Sequence, residues 1–126
     1  MSGYEGTYAL RVHRLATVDM IEAYERLAEA TNEDYAADWY IGLQKALATL
    51  ATLPKRGPVA EEDRLFRRVE VKVVPYRHGS GRVVHHVFYS VHEPGEDAPF
   101  VHILHVRHGA RKPMTRAEAR KIEAED

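Results

Sequence analysis

The chain has 126 residues and a formal net charge of −1, with 18 Lys and Arg against 19 Asp and Glu. Its 44% hydrophobic and 29% charged residues exclude a disordered or collagen-like chain, and its lack of cysteine excludes disulfide frameworks and thiolate zinc fingers. Its longest apolar runs are too short to span a membrane and its first residues do not resemble a signal peptide, so we expect a cytoplasmic protein with no membrane partner.

The N-terminal half predicts one strand followed by two helices. Apolar and polar residues alternate over residues 8–13, as in a strand with one buried face. Thr17 is a suitable N-cap for a first helix of about fourteen residues, whose apolar stripe includes Ile21 and Leu27. A polar link at residues 31–33 precedes a second, longer apolar stripe that ends at Leu53. Two amphipathic helices with a short polar link predict an antiparallel helical hairpin.

After this hairpin the pattern predicts three strands and a short helix. Strand-like runs cover residues 65–76, 82–91 and 100–108, and the short turn segments between them predict an antiparallel meander. Residues 115–118 form a capping box before a helix over residues 116–123. The predicted fold is α+β with the order β-α-α-β-β-β-α. We expect one domain over residues 1–126, with a core at 8–111 and a C-terminal helical extension at 112–126.

An antiparallel sheet with the helical hairpin packed on one face would satisfy the burial requirement of both layers. We therefore expect the opposite face to be open to water or to a partner. Between Pro54 and Arg82, eight basic residues stand against four acidic ones, which predicts a local positive field. These charges fit a macromolecular partner, and they equally fit ordinary solvated strand faces.

The residues at 101–111, VHILHVRHGAR, form an apolar strand followed by His-Gly-Ala-Arg. The strand VFYSV at 87–91 precedes it, and the hairpin carries Tyr24, Trp39 and a Leu-rich end. In this order and spacing, residues 8–111 resemble the RelE/ParE superfamily of type II toxins, which includes plasmid stabilization proteins. The resemblance implies the same fold and a toxin that is neutralised by a cognate antitoxin.

Within that superfamily, the resemblance favours the ParE branch, whose members inhibit growth by binding DNA gyrase. The alternative is the RelE branch, whose members cleave messenger RNA on the ribosome without a metal. His85 and His86 stand where many relatives have Tyr-Arg, and the turn at residues 74–81 is longer than usual. These departures leave open whether the chain is an enzyme, and a non-toxic binding module of the same fold remains a third possibility.

For a nuclease, the basic residues near the sheet are the candidates for catalysis. RNA cleavage requires cations that stabilise charge on the phosphorane and groups that move protons, and histidine titrates near neutral pH. The catalytic candidates are Arg111, His108, His86, Arg68 and Lys72. As simple strand and loop residues they would face solvent with no catalytic role.

Eight histidines also raise the question of a metal site. On a regular strand His102 and His108 would share one face at a separation of roughly 20 Å, and His105 would point the other way. Because ligand atoms must lie about 2 Å from one ion, we expect no metal and no cofactor. The expected partner is an antitoxin whose acidic and apolar segment fills a hydrophobic groove near the first helix. A homodimer is left open.

Overall fold

The computed structural model of the protein describes residues 6–95 and 98–125. The helices are α1 (Arg14–Ala30), α2 (Glu33–Thr49) and α3 (Arg116–Ala124), and a 3-10 helix spans Glu61–Leu65. The strands are β1 (Ala9–Val12), β2 (Lys72–Tyr76), β3 (His85–His92) and β4 (Phe100–His108). The α+β class and the predicted order of elements are confirmed, and the bounds of β4 agree with the prediction.

The four strands form one sheet in the order β1-β4-β3-β2. β2 pairs with β3, and β3 with β4, in antiparallel fashion, as a meander requires. β1 pairs with β4 in parallel, with Ala9 opposite Phe100. The sheet is therefore mixed. β4 runs in the same direction as β2, and β1 lies at the edge of the sheet, parallel to β4.

Each long helix begins at a side chain that accepts a backbone N–H. His13 caps α1: its Nδ1 accepts from the backbone N–H of Leu15 at 3.0 Å, and its Nε2 donates to the carbonyl of Ile122 at 2.7 Å. The N-cap of α1 is therefore the imidazole of His13 and not the predicted hydroxyl of Thr17, and α1 begins earlier than predicted. Asn32 caps α2, and the capping box predicted for α3 at Thr115 is present.

The helical hairpin packs on one face of the sheet. Leu43 and Leu47 of α2 are almost fully buried there, against inward side chains of β3 and β4. We call this buried set the hairpin-face cluster. Its members from the hairpin and the sheet include Ala16, Met20, Trp39, Leu43, Leu47, Leu50, Val74, Tyr76, Val87, Tyr89, Val101, Ile103 and Val106.

The opposite face of the sheet is also covered, which corrects the expectation that it is open. Phe88 is 1% exposed and Leu104 4% exposed, because the segment around the 3-10 helix and α3 pack over them. Residues 66–71 resemble a strand in sequence because Phe66, Val69 and Val71 pack on this face, yet β2 begins only at Lys72. The second-face cluster consists of Ala60, Leu65, Phe66, Val71, Phe88, Leu104, Met114, Ala119 and Ile122.

A β-bulge in β4 changes which way its histidines point. Phe88 pairs with His105 and Tyr89 with Ile103, so Leu104 is an extra residue in β4. His105 therefore stacks on Phe88 in the second-face cluster, at 5.9 Å between ring centroids. His108 lies on the hairpin face, away from His102, so the prediction that these two share a face is wrong. The prediction assumed unbroken alternation, which the bulge interrupts.

Candidate functional site

The structure places the five predicted site residues in several different locations. His108 and Arg111 line one small cleft at the end of the sheet, beside α1. His86 follows His85, whose ring packs against Trp39 on the hairpin face at 5.1 Å, so His86 points to the opposite face. The two predicted catalytic histidines are thus separated by the sheet itself.

Arg68 and Lys72 lie away from that cleft. Arg68 lines a cavity of about 200 Å³ near the end of α3, and its backbone N–H donates to Glu123 at 2.7 Å. The ammonium group of Lys72 donates to the carbonyl of Gly57 at 3.3 Å and lies 3.9 Å from the carboxylate of Glu70. The described residues therefore do not gather the five candidates around one point.

The cleft that holds His108 and Arg111 is formed by α1, the ends of β3 and β4, and the segment after β4. We call it the sheet-end cleft. It has a volume of about 50 Å³, and its lining residues are Asp19, Glu22, Ala23, Arg26, His85, Val106, His108 and Arg111. It continues into a groove of about 520 Å³ between α1 and α3, which shares Asp19, Glu22, Arg26 and Arg111 with the cleft and adds Glu118 and Lys121.

His85 forms the buried wall of this cleft. It is 6% exposed, and its ring lies 5.1 Å from that of Trp39 and 5.2 Å from that of His108. Burial, together with the positive charge of His108, His86 and Arg26, lowers the pKa of His85 to about 4. The ring is therefore neutral at neutral pH. Among the described residues, neither its Nδ1 nor the Nε1 of Trp39 has a hydrogen-bond partner.

The cleft opens to solvent beside His108 and Arg111. The Nδ1 of His108 accepts the backbone N–H of Ala110 at 2.9 Å, so in the neutral ring the Nε2 carries the proton and is a donor. The guanidinium of Arg111 lies 3.4 Å from the carboxylate of Glu118, and its side chain is 52% exposed. Both groups can therefore donate hydrogen bonds to a molecule in the cleft.

Sequence analysis missed a buried polar chain behind this cleft, which joins α1 to α3 through β4. The guanidinium of Arg107 donates to His105 Nε2 at 3.2 Å and to Glu118 at 2.9 Å. Since Arg107 only donates, His105 Nε2 accepts, and its Nδ1–H donates to Asp19 at 2.7 Å. With both nitrogens occupied, His105 cannot serve as a general base. The one available sequence signal was the presence of His105 and Arg107 among the apolar residues of this strand.

The outer surface of the hairpin carries a second feature, an apolar groove of about 300 Å³. It is lined by Ile21, Tyr24 and Tyr40, and we call it the hairpin groove. The two tyrosine rings meet edge to face at 6.1 Å, which fixes the floor of the groove. Ile21 is 49% exposed and Ile41 nearby is 53% exposed. An exposed apolar surface of this kind is typical of a protein contact.

The described residues contain no group of three or more His, Asp or Glu side chains placed to hold a metal ion. In the same part of the chain, no helix combines the length and the apolar character that crossing a membrane requires. Comparison with known proteins finds neither a matching family model nor a matching curated sequence. The function is therefore inferred from the fold, the cleft and the groove.

Proposed function

We propose that the chain is the toxin of a type II toxin-antitoxin system and that it inhibits growth in the cytoplasm by binding DNA gyrase. The order of elements supports this proposal, because it agrees with the RelE/ParE-like order expected from residues 8–111. The observation that carries the choice of target is the separation of the five candidate catalytic residues. A ribonuclease needs such groups around one phosphate, whereas a toxin that acts by binding needs only an accessible surface.

The separation has clear physical causes. His86 and His108 lie on opposite faces of the sheet, so they cannot act as acid and base on one ribose phosphate. Lys72 is held by the Gly57 carbonyl and has a side chain only 15% exposed. Arg107, the remaining cation in β4, is buried and paired with Glu118. These positions favour structural roles for several of the basic residues around the sheet.

The hairpin groove is the surface that we propose for the antitoxin. Burial of Ile21 and the two tyrosine rings by an apolar segment would stabilise such a complex. The helices around the groove contain seven acidic residues against three basic ones. Charge complementarity therefore favours a segment that is basic and apolar, in place of the acidic one expected from the sequence.

The alternative function is a ribosome-dependent messenger RNA endoribonuclease that requires no metal. One observation favours it: His108 and Arg111 line the same cleft, so a proton donor and a cation lie together there. A non-toxic binding module of the same fold is the remaining alternative. It would use the hairpin groove without any effect on growth.

Inducible expression of the chain, with and without the antitoxin expected to be encoded beside it, tests the proposal. We expect growth arrest that the antitoxin relieves, with intact messenger RNA and trapped gyrase–DNA complexes. Messenger RNA cut at defined codon positions would identify the ribosome, and not gyrase, as the target. In that case Arg111→Ala would abolish cleavage, while Arg116→Ala, an exposed arginine on α3, would not. Unaffected growth would overturn the toxin proposal.

A further inference from the structure

We propose that the sheet-end cleft binds a phosphate group, an oxyanion that matches the cleft in size and in hydrogen-bond donors. This proposal goes beyond the toxin function and does not depend on it. The nitrogen-bearing side chains that line the cleft are Arg26, His85, His108 and Arg111.

The size of the cleft limits the ligand. A volume of about 50 Å³ holds a few water molecules or one tetrahedral oxyanion, and it is too small for a base or a sugar. The groove of about 520 Å³ that continues from it leaves room for the rest of a phosphorylated molecule. Four oxygens around one centre suit donors that come from α1, β3, β4 and the segment after β4. A carboxylate offers two oxygens and would leave some of these donors unused.

Of the two acids that line the cleft, Asp19 is engaged by groups other than the proposed donors, and Glu22 pairs with the exposed Arg26. The Oδ2 of Asp19 already accepts from the ring of His105 and from the backbone N–H of Val106 at 3.1 Å. The carboxylate of Glu22 lies 3.5 Å from Arg26 on the exposed surface of α1. Arg26 and Arg111 bring two fixed positive charges to the cleft, against the carboxylates of Asp19 and Glu22.

A buried polar group at the inner wall is a second, independent observation. His85 is more than nine-tenths buried, lines the cleft and has an Nδ1 without a partner among the described residues. Leaving such a group without a hydrogen bond destabilises a protein, so natural structures rarely retain one without a use. Because the ring is neutral at neutral pH, one of its nitrogens carries a proton and is a donor. The Nδ1 atom is itself enclosed in this structure, so binding an anion through it requires a small shift of the ring.

Fluorescence titration of the full chain with inorganic phosphate tests the proposal. Trp39 is the single tryptophan and lies against His85, so its emission reports directly on the inner wall of the cleft. We expect a saturable change with phosphate, and roughly tenfold or greater weakening in Arg26→Gln and in His85→Phe, the size of one lost hydrogen bond to a charged group. Arg116→Gln, which removes an exposed arginine outside the cleft, should bind phosphate like the parent chain.

Arg26 is an exposed surface residue, so Arg26→Gln stays informative if the buried His85→Phe variant fails to fold. Tighter binding of glycerol phosphate than of inorganic phosphate would identify a phosphorylated molecule as the ligand, and equal binding would identify free phosphate. Acetate that binds as tightly as phosphate would overturn the assignment. A change that does not saturate, or one that is equal in Arg26→Gln and Arg116→Gln, would also overturn it. Growth arrest is scored separately, so failure of either proposal leaves the other intact.

Discussion

Asp19 of α1 and His105 of β4 form a buried hydrogen bond of 2.7 Å between a carboxylate and an imidazole. The same carboxylate accepts the backbone N–H of Val106 at 3.1 Å. β1 ends at Val12 and covers only the first part of the β4 edge, so the rest of that edge would otherwise present unpaired backbone groups. One side chain of α1 therefore completes the edge of the sheet and attaches the hairpin to it.

The first prediction concerns this contact. Replacing Asp19 with Ala leaves the N–H of Val106 and the ring of His105 without their acceptor, so we expect the free energy of unfolding to fall by about 2–4 kcal/mol. Urea denaturation measures the change. Asp38→Ala, an exposed acidic residue on α2, is the matched control and should change stability by about 0.5 kcal/mol or less. Equal effects of the two substitutions would contradict the role assigned to Asp19.

The second prediction concerns Glu118, which attaches α3 to β4. Its hydrogen bonds from Arg107, with the nearby charge of Arg111, lower its pKa to about 2. The folded state thus holds this carboxylate ionised more strongly than the unfolded state, where its pKa is about 4.5. This stabilisation is complete above pH 4.5 and is lost as the pH falls towards 2.

Denaturation of Glu118→Gln between about pH 2 and 5 checks that prediction, since this substitution should remove the pH dependence assigned to the pair. At neutral pH the variant should also be less stable by about 2–4 kcal/mol, because the buried guanidinium of Arg107 loses its counter-charge. Glu25→Gln on the exposed side of α1 is the control. A variant that keeps the full acid dependence of the parent chain would rule out Glu118 as its source.

The third prediction concerns His85, whose folded-state pKa of about 4 lies below the ordinary histidine value of 6.5 because the ring is buried. The unfolded chain therefore binds a proton at a higher pH than the folded chain does. The stabilisation that the neutral ring of His85 adds to the free energy of unfolding is therefore complete above pH 6.5 and decreases as the pH falls towards 4. His85→Phe, which keeps a ring against Trp39, should reduce the slope of stability against pH in this window. An unchanged slope would mean that other groups cause it.

The fourth prediction concerns the hydroxyl of Tyr89, which is buried beneath the segment that leads to the 3-10 helix. This hydroxyl accepts the backbone N–H of Gly57 at 3.0 Å. Tyr89→Phe leaves that buried N–H without an acceptor and should lower the free energy of unfolding by about 1–3 kcal/mol. Tyr24→Phe, whose hydroxyl makes no hydrogen bond among the described residues, should have a much smaller effect in the same thermal or urea denaturation.

The fifth prediction concerns the hairpin groove. Ile21→Lys places a charge where the antitoxin segment would bury apolar side chains, so binding should weaken by roughly tenfold or more. Co-purification with the antitoxin and rescue of growth measure the effect. Val83→Lys makes the same change at another exposed apolar residue, in the β2–β3 connection, and should leave binding intact. Equal loss in both variants would place the antitoxin contact outside the groove.

The elements themselves could be predicted because their signals are local. The strand at residues 100–108 has a long apolar run, and Thr115 and Glu118 form a capping box that needs only the spacing of two residues. Residues 66–71 gave a false strand signal, since closely spaced apolar residues indicate a buried side and do not identify the layer that buries it. This is why the covering of the second sheet face was not foreseen.

The candidate site could be predicted only in part. His108 ends β4 and Arg111 lies three residues later, so their proximity follows from the sequence. The bulge at Leu104 changes the face of the sheet to which the following residues of β4 point. No local sequence pattern indicated this bulge. The contact between Asp19 and His105 joins residues far apart in the chain, and it exists because α1 lies along the uncovered edge of β4. Such a long-range pairing is a property of the tertiary fold.

The parallel pairing of β1 with β4 also has a consequence for biosynthesis. Ala9 pairs with Phe100, so of the four described strands the first to be synthesised pairs with the last. The nascent chain must keep β1 unpaired while both helices and two further strands emerge. Completion of the sheet therefore waits until β4 has left the ribosome, with β1 held near its partner edge by the folded hairpin only from that point on.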